Sequence, residues 1–411
     1  MAAVLVVQLL SILGRPNALD RGVTSLAAAA LLHRSPNELV DPARAAAALH
    51  LEQFRTPVWI VMIALQIGVL AWFWNTGRSA RLRNRLRSMV RPEFAVRFFF
   101  GALLAGLDKL AAFVPLALEY RYMRILDLNN ILFRSWLVEW IASTLLAMVV
   151  AGLIAAVVLW LADRTHQWYL YTIAGVMGFT LLISYANPFA IAPAYTHFSP
   201  HVWIEGSLAS DVAKLEQRTG TAVPIVIAEV SRRTHLGDAY VMGWGGSQRA
   251  VVTDTMWAAA TQDELEYVLA RALVWVQAND GLHIALVQGA FFVIGAALAV
   301  FISDRIGFRR DDDPVSRLAL LGAVMGGVYL IALPFYNGYA RSMDRTTDAA
   351  AIALTRDPAS AIRLEVRRTD QALVPLCPNA FAYWYFDSHV PPGTRISNLQ
   401  GAPDYCTKQR R

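Results

Sequence analysis

Side chains able to do chemistry are sparse in these 411 residues, and their spacing limits what they can do. Asp344 and Asp348 stand four apart, which on a helix puts both carboxylates on one face. With His389 they form a set that could move protons. No nucleophile accompanies them at a recognisable spacing. The other histidines, His33, His50, His166, His197, His201, His235 and His283, are scattered, and none belongs to a His-Glu-x-x-His segment. Each therefore reads as solvated or locally hydrogen-bonded. Cys377 and Cys406 supply no paired-thiolate site.

The elements that must position these residues lie in a chain too apolar for an ordinary soluble domain. It is 56% hydrophobic and 17% charged, with a mean hydropathy of +0.40, whereas soluble domains carry roughly a quarter charged residues. The composition excludes a disordered chain, a disulfide-stapled miniprotein and a soluble basic DNA-binding protein. The net charge of +6 is almost all arginine, the lysines being Lys109, Lys214 and Lys408. The expected partner is the lipid bilayer, with no nucleic acid, and the expected location is an integral protein of a bacterial inner membrane.

A hydrocarbon core about 30 Å thick needs about 20 apolar residues of helix. Residues 57–75, 136–162, 168–186, 282–303 and 316–336 meet that length, and 94–118 is a sixth span interrupted by Arg97, Asp108 and Lys109. Arg78, Arg81, Arg83, Arg85, Arg87 and Arg91 alternate with Leu82, Leu86, Met89 and Val90, as an amphipathic segment on cytoplasmic headgroups would. Counting spans from that anchor puts the loop holding Arg305, Arg309 and Arg310 on the same side. The polar stretches 187–281 and 337–411 then share the opposite face. The division is an N-terminal segment 1–56 of undecided role, a transmembrane region 57–190, an α+β part 191–281, a transmembrane hairpin 282–336 and a C-terminal part 337–411.

In the polar half, 208–218 has helical spacing, while 222–230, 239–245 and 250–254 read as strands. Thr261-Gln-Asp-Glu264 is a capping box that starts a helix through Leu265, Val268, Leu269 and Leu273. A further helix is expected near 341–354, and Asp357-Pro358 starts another. In this order the sequence resembles the membrane zinc metallopeptidases of the CAAX prenyl protease and HtpX type. The residues that carry the resemblance are Asp263-Glu-Leu-Glu-Tyr-Val-Leu-Ala270, Gly243-Trp-Gly245, Val251-Val-Thr-Asp-Thr255, Asp344-Arg-Thr-Thr-Asp348 and Ser388-His389 with Pro391-Pro392 and Arg395-Ile396. The segment 188–200 is similar to the linker joining the family's spans to its peptidase domain. The resemblance covers roughly residues 119–398 and implies a polytopic α-helical membrane protein with a gluzincin-like α+β peptidase domain.

It also identifies what is missing. The family's His-Glu-x-x-His helix holds zinc with two histidines and activates water with the glutamate. Here those positions are Arg271, Ala272 and Trp275, and Asp344 stands at the third ligand. A guanidinium has no lone pair for a metal, and an indole N–H only donates. No metal site or cofactor is therefore expected. Asp348 and Asp280 match family aspartates, and His389 and Arg395 match its transition-state and substrate-side residues. Arg271 is expected to replace the ion's charge by pairing with Asp344 or Asp348.

Met242, Gly243, Trp244 and Gly245 correspond to the family's edge strand, which receives an extended peptide. The reading that follows is a non-catalytic homologue holding a peptide, a lipidated chain or a membrane protein partner. The alternatives are an active endopeptidase, metal-dependent or using His389 with Asp344 or Asp348, and transport through polar residues at the spans, Arg97, Asp108, Lys109 and Glu139. Sidedness stays open. Charge counting places the peptidase-like half outside, the resemblance to CAAX proteases inside, and an outside location would permit a Cys377 to Cys406 disulfide.

Overall fold

The computed structural model describes residues 26–199, 206–307 and 313–409. The segment 1–13, His201, Arg309 and Arg310 lie outside these. Two short helices, α1 (Ala28–His33) and α2 (Pro36–Leu39), precede α3 (Pro42–Asn75), α4 (Arg78–Met89), α5 (Glu93–Ile125), α6 (Phe133–Arg164) and α7 (Trp168–Ala186). A π-helical turn and α8 (Ala192–Tyr195) lead into β1 (His197–Ser199). Then follow α9 (Gly206–Thr219), β2 (Ile225–Glu229), β3 (Ala239–Met242), β4 (Arg249–Thr253), α10 (Asp254–Ala259), α11 (Gln262–Gln277), α12 (Asp280–Gly307) and α13 (Pro314–Thr355). The chain closes with α14 (Pro358–Ala372), α15 (Ala380–Tyr385), α16 (Pro392–Leu399) and α17 (Tyr405–Gln409).

Helices α3, α5, α6, α7, α12 and α13 are each long and apolar enough to cross a membrane. Their exposed faces are apolar, as at Ile60, Leu145, Leu182, Ile294 and Ile331, because lipid rather than water is their solvent. All six expected spans thus appear, including the interrupted one. Its Arg97 pairs with Asp163 at the far end of α6, and its Asp108 accepts a 2.9 Å hydrogen bond from Gln66 Nε2. Glu139 pairs with Arg233 of the polar half at 2.8 Å.

Two helices run further than the sequence suggests. α3 starts at Pro42, capped by the Asp41 carboxylate accepting from Ala43 N and Arg44 N, and passes through Pro57 without ending. Pro42 takes the first helical turn beside the Asp41 cap, and Pro57, where the sequence reading began the span, lies inside the helix. α13 is one helix of 42 residues, joining the expected span 316–336 to the expected helix 341–354. Asn337 and Arg341 look like a polar break. Instead they serve α15, with Asn337 Nδ2 donating to Trp384 O at 3.0 Å and Arg341 Nη1 to Tyr383 O at 2.7 Å.

The sheet has four strands in the order β1-β2-β4-β3, with β2 and β4 parallel and the outer pairs antiparallel. The sequence reading had three, since a strand of three residues such as β1 leaves no periodicity to see. β4 is buried, and the sheet closes on a core in which Leu269 and Leu273 of α11 meet Leu215, Val252 and Leu364. Local signals hold where the chain chemistry is local. The capping box forms, with Thr261 N donating to Glu264 Oε2 at 2.8 Å, and α14 begins at Pro358 with Asp357 capping Ser360 N.

Candidate functional site

Three helices bring the chemistry-bearing residues together. α11 carries Tyr267, Arg271, Ala272 and Trp275 along the side facing α13, because residues three and four apart share a helix face. α13 presents Asp344 and Asp348 one turn apart. α16, begun by Pro392 at its first turn, inserts Arg395 from the opposite side. The result is a closed square of charge. Arg271 Nη2 lies 2.6 Å from Asp344 Oδ1, and Arg271 Nε lies 2.7 Å from Asp348 Oδ1. Arg395 Nη2 donates to Asp344 Oδ2, and Arg395 Nε to Asp348 Oδ2 at 2.7 Å. Each guanidinium thus bridges both carboxylates.

Further contacts complete the shell. Arg395 Nη1 reaches Glu365 Oε2 on α14 at 3.2 Å. Val390 N donates to Asp344 Oδ2 at 3.0 Å, and Tyr267 Oη to Asp348 Oδ1 at 3.2 Å. Burial opposes the charge of Arg271, but Asp348 and Asp344 outweigh it and raise its pKa above the ordinary value. Burial likewise opposes Arg395, yet Glu365, Asp348 and Asp344 hold it well above that value. Burial and then Asp348 push the Tyr267 phenol up, so it stays a donor. Two cations among three carboxylates leave the cluster one negative charge in excess. His389 Nδ1 stands 3.5 Å from Asp344 Oδ2, with a side chain 76% exposed toward the cleft.

Arg271 therefore pairs with both aspartates, where the sequence led to one or the other. Arg395, read as a substrate-side residue, lines the cleft and is also the second cation of the square. Glu365 and Tyr267 were missed. Tyr267 sits one turn before Arg271 and was legible from that spacing, and Glu365 is a charge on the buried side of α14, between Leu364 and Val366. Asp280 is buried at the start of α12, 3.9 Å from His283 Nδ1, and does not enter the square.

A cleft of about 160 Å3 lies between this square and the sheet. Its walls include Tyr240 and Val241 of β3, Ala272 and Trp275 of α11, and His389. β3 is one of the two edges of the sheet, paired among the described residues with β4 alone. Of the four residues expected on that edge, Met242 is in the strand. Gly243 and Gly245 have φ of 77° and 57°, which turn the chain out of the sheet. Trp244 between them donates Nε1 to Leu181 O of α7, tying the turn to the membrane bundle.

Residues 47–197 match the family described as CAAX prenyl protease N-terminal, five membrane helices, and residues 205–402 match peptidase family M48. The chain is 20% identical over 337 residues to an uncharacterized metalloprotease, YhfN, of Bacillus subtilis (strain 168), covering 80% of this chain and 79% of that one. Its fold is similar to the crystal structure of S. mikatae Ste24p, with a TM-score of 0.73 at 16% identity, covering 92% and 94% of the two chains. The zinc such proteases imply does not fit the residues present. Of the three ligand positions, Arg271 and Trp275 offer no lone pair, and both oxygens of Asp344 are taken by guanidinium and backbone donors. Among the described residues no group of three His, Cys, Asp or Glu side chains could hold a metal ion.

Proposed function

Because this integral membrane protein belongs to the CAAX prenyl protease type of peptidase family M48, we propose that it keeps the family's cleft to hold an extended polypeptide without hydrolysing it. One observation carries the reading: the two guanidiniums of Arg271 and Arg395 occupy both carboxylates on the inherited metal-site helix. A water nucleophile needs a metal or a base, and Ala272 stands where the glutamate base would be. The unpaired edge of β3 still offers backbone donors and acceptors to an added strand. Tyr240, 41% exposed, and Trp275 supply apolar contact along the same cleft.

The second reading rests on His389 beside Asp344, an imidazole and carboxylate that could share acid–base work. Asp344 is already engaged by two arginines, which favours the binding reading. The test uses the purified full chain, metal analysis and cleavage of an unstructured polypeptide. Substoichiometric zinc and an intact polypeptide are expected. Stoichiometric zinc, or cleavage abolished by a chelator, overturns the proposal. Cleavage that survives chelator and disappears in His389→Ala establishes the second reading instead.

A further inference from the structure

The ends of the spans sort into two sets. Asp313, at the start of α13, pairs with Arg87 at 2.6 Å and with Arg83 at 3.5 Å, so α4 covers that end of the helix. Asp344 lies 31 residues later on the same unbroken helix, about 45 Å away at the helical rise, against a hydrocarbon core of about 30 Å. The arginine-rich helix and the candidate site are therefore on opposite faces of the membrane. The other spans agree. α6 begins where Glu139 meets Arg233 of the polar half and ends where Asp163 meets Arg97. α12 runs from Asp280 beside the site to Asp304, which pairs with Arg317.

Two independent features then fix which face is which. Six of the fourteen residues 78–91 are arginine, and an excess of arginine near span ends marks the cytoplasmic face. On the other face Cys377 and Cys406 form a disulfide, a bond that persists in oxidising compartments and is rare in the cytosol. It joins the two ends of the segment carrying His389, Val390 and Arg395. Gly393 packs against Cys406 Sγ, where a Cβ would come within 3.0 Å.

The site also sits low, close to the lipid. In α15, Phe381 and Tyr385 stack with ring centroids 4.6 Å apart, and Trp59 of α3 packs edge-on against Phe386 at 5.1 Å. Trp384 stays 48% exposed. Such rings concentrate at headgroup level. Arg341, three residues before Asp344, holds this aromatic segment through Tyr383 O and Asp387 O, so the belt is about one helical turn from the charge square.

We propose that the cleft half faces the non-cytoplasmic, oxidising side at headgroup level, and that the polypeptide it holds is the juxtamembrane stretch of an exported, membrane-tethered chain. The location stands on the span ends, the arginines and the disulfide. The occupant rests additionally on the peptide-holding reading. Tethering confines a chain to the depth of the cleft and raises its effective concentration there.

Location is tested with alkaline phosphatase or green fluorescent protein fused after Arg411 of the full chain in a bacterial host, together with maleimide labelling of the denatured, unreduced protein. An active phosphatase, a dark fluorescent fusion and unlabelled cysteines are expected. A fluorescent fusion or two labelled thiols overturns the location. The occupant is tested by placing a photo-crosslinking amino acid at Tyr240 and co-expressing a 40-residue unstructured exported tail, either fused to one membrane span or released. A crosslink yield higher on the order of tenfold for the tethered tail is expected. Equal yields overturn the tethering, and no crosslink with either tail overturns the peptide-holding reading while leaving the location standing.

Discussion

Arg271→Met removes one cation from the square while keeping a long unbranched side chain. Arg271 makes ion-pair contacts of 2.6 and 2.7 Å to two different carboxylates, and removing one partner of a buried pair costs about 3–5 kcal/mol. Two features place this case at the low end. Its side chain is 20% exposed, so water reaches one flank, and Arg395 still contacts both aspartates. We expect about 3 kcal/mol, which for a chain of 411 residues lowers the melting temperature by roughly 3–5 °C. The assay is thermal unfolding of the full chain in one detergent at one scan rate, since membrane proteins often unfold irreversibly. The double variant Arg271→Met with Asp348→Leu completes a cycle. It should recover part of the loss, because the stranded carboxylate is removed along with the cation. An Arg271→Met protein within about 0.5 kcal/mol of the parent would refute the reasoning, since surface changes of that kind stay within that range. It would mean that Arg271 does not hold the carboxylates together.

Reducing Cys377–Cys406 should loosen the segment carrying His389 and Arg395. Their sequence separation of 29 residues corresponds to about 3–4 kcal/mol of loop-closure stabilisation, and the readout is a lower melting temperature with reductant that a Cys377→Ser, Cys406→Ser double variant already shows without it. Asp370 gives the second prediction. Burial pushes its carboxyl up to about 7, against the Asp41 N–H bond that lowers it. A raised acid binds its proton more tightly in the folded state, so its stabilising contribution is complete below about 4 and is lost as pH rises through about 7. The docked segment 28–40 should exchange amide hydrogens faster at pH 8 than at pH 6 after correction for the intrinsic rate, and Asp370→Asn should flatten that difference.

Much of the fold was legible because its signals are local. The Thr261 capping box, Pro358 at the head of α14 and the long apolar runs each act within a turn or a span. The pairing of Asp344 with Asp348 followed from a spacing of four. What was not legible depends on distant chain. Arg395 reaches Asp344 across 51 residues of sequence, and no periodicity says that α16 will enter from the opposite side. The continuity of α13 was hidden because Asn337 and Arg341 are polar for the sake of α15, an element that lies more than forty residues on. Gly243 and Gly245 looked like strand because neighbouring residues alternate, whereas their positive φ sends Trp244 into the bundle.

The unbroken helix α13 also works as a depth gauge. Its first part lies in lipid, and its last turns hold the two aspartates, while their arginine partners belong to α11 and α16 outside the hydrocarbon core. An axial slip of one residue, about 1.5 Å, would lengthen contacts of 2.6 and 2.7 Å to about 3 Å where they run across the helix axis and to about 4 Å where they run along it, weakening each charged hydrogen bond. Membranes differ in hydrocarbon thickness by several ångströms, and spans answer by tilting or shifting. The charge square therefore resists axial movement of the rod and ties the depth of the site to that of the span.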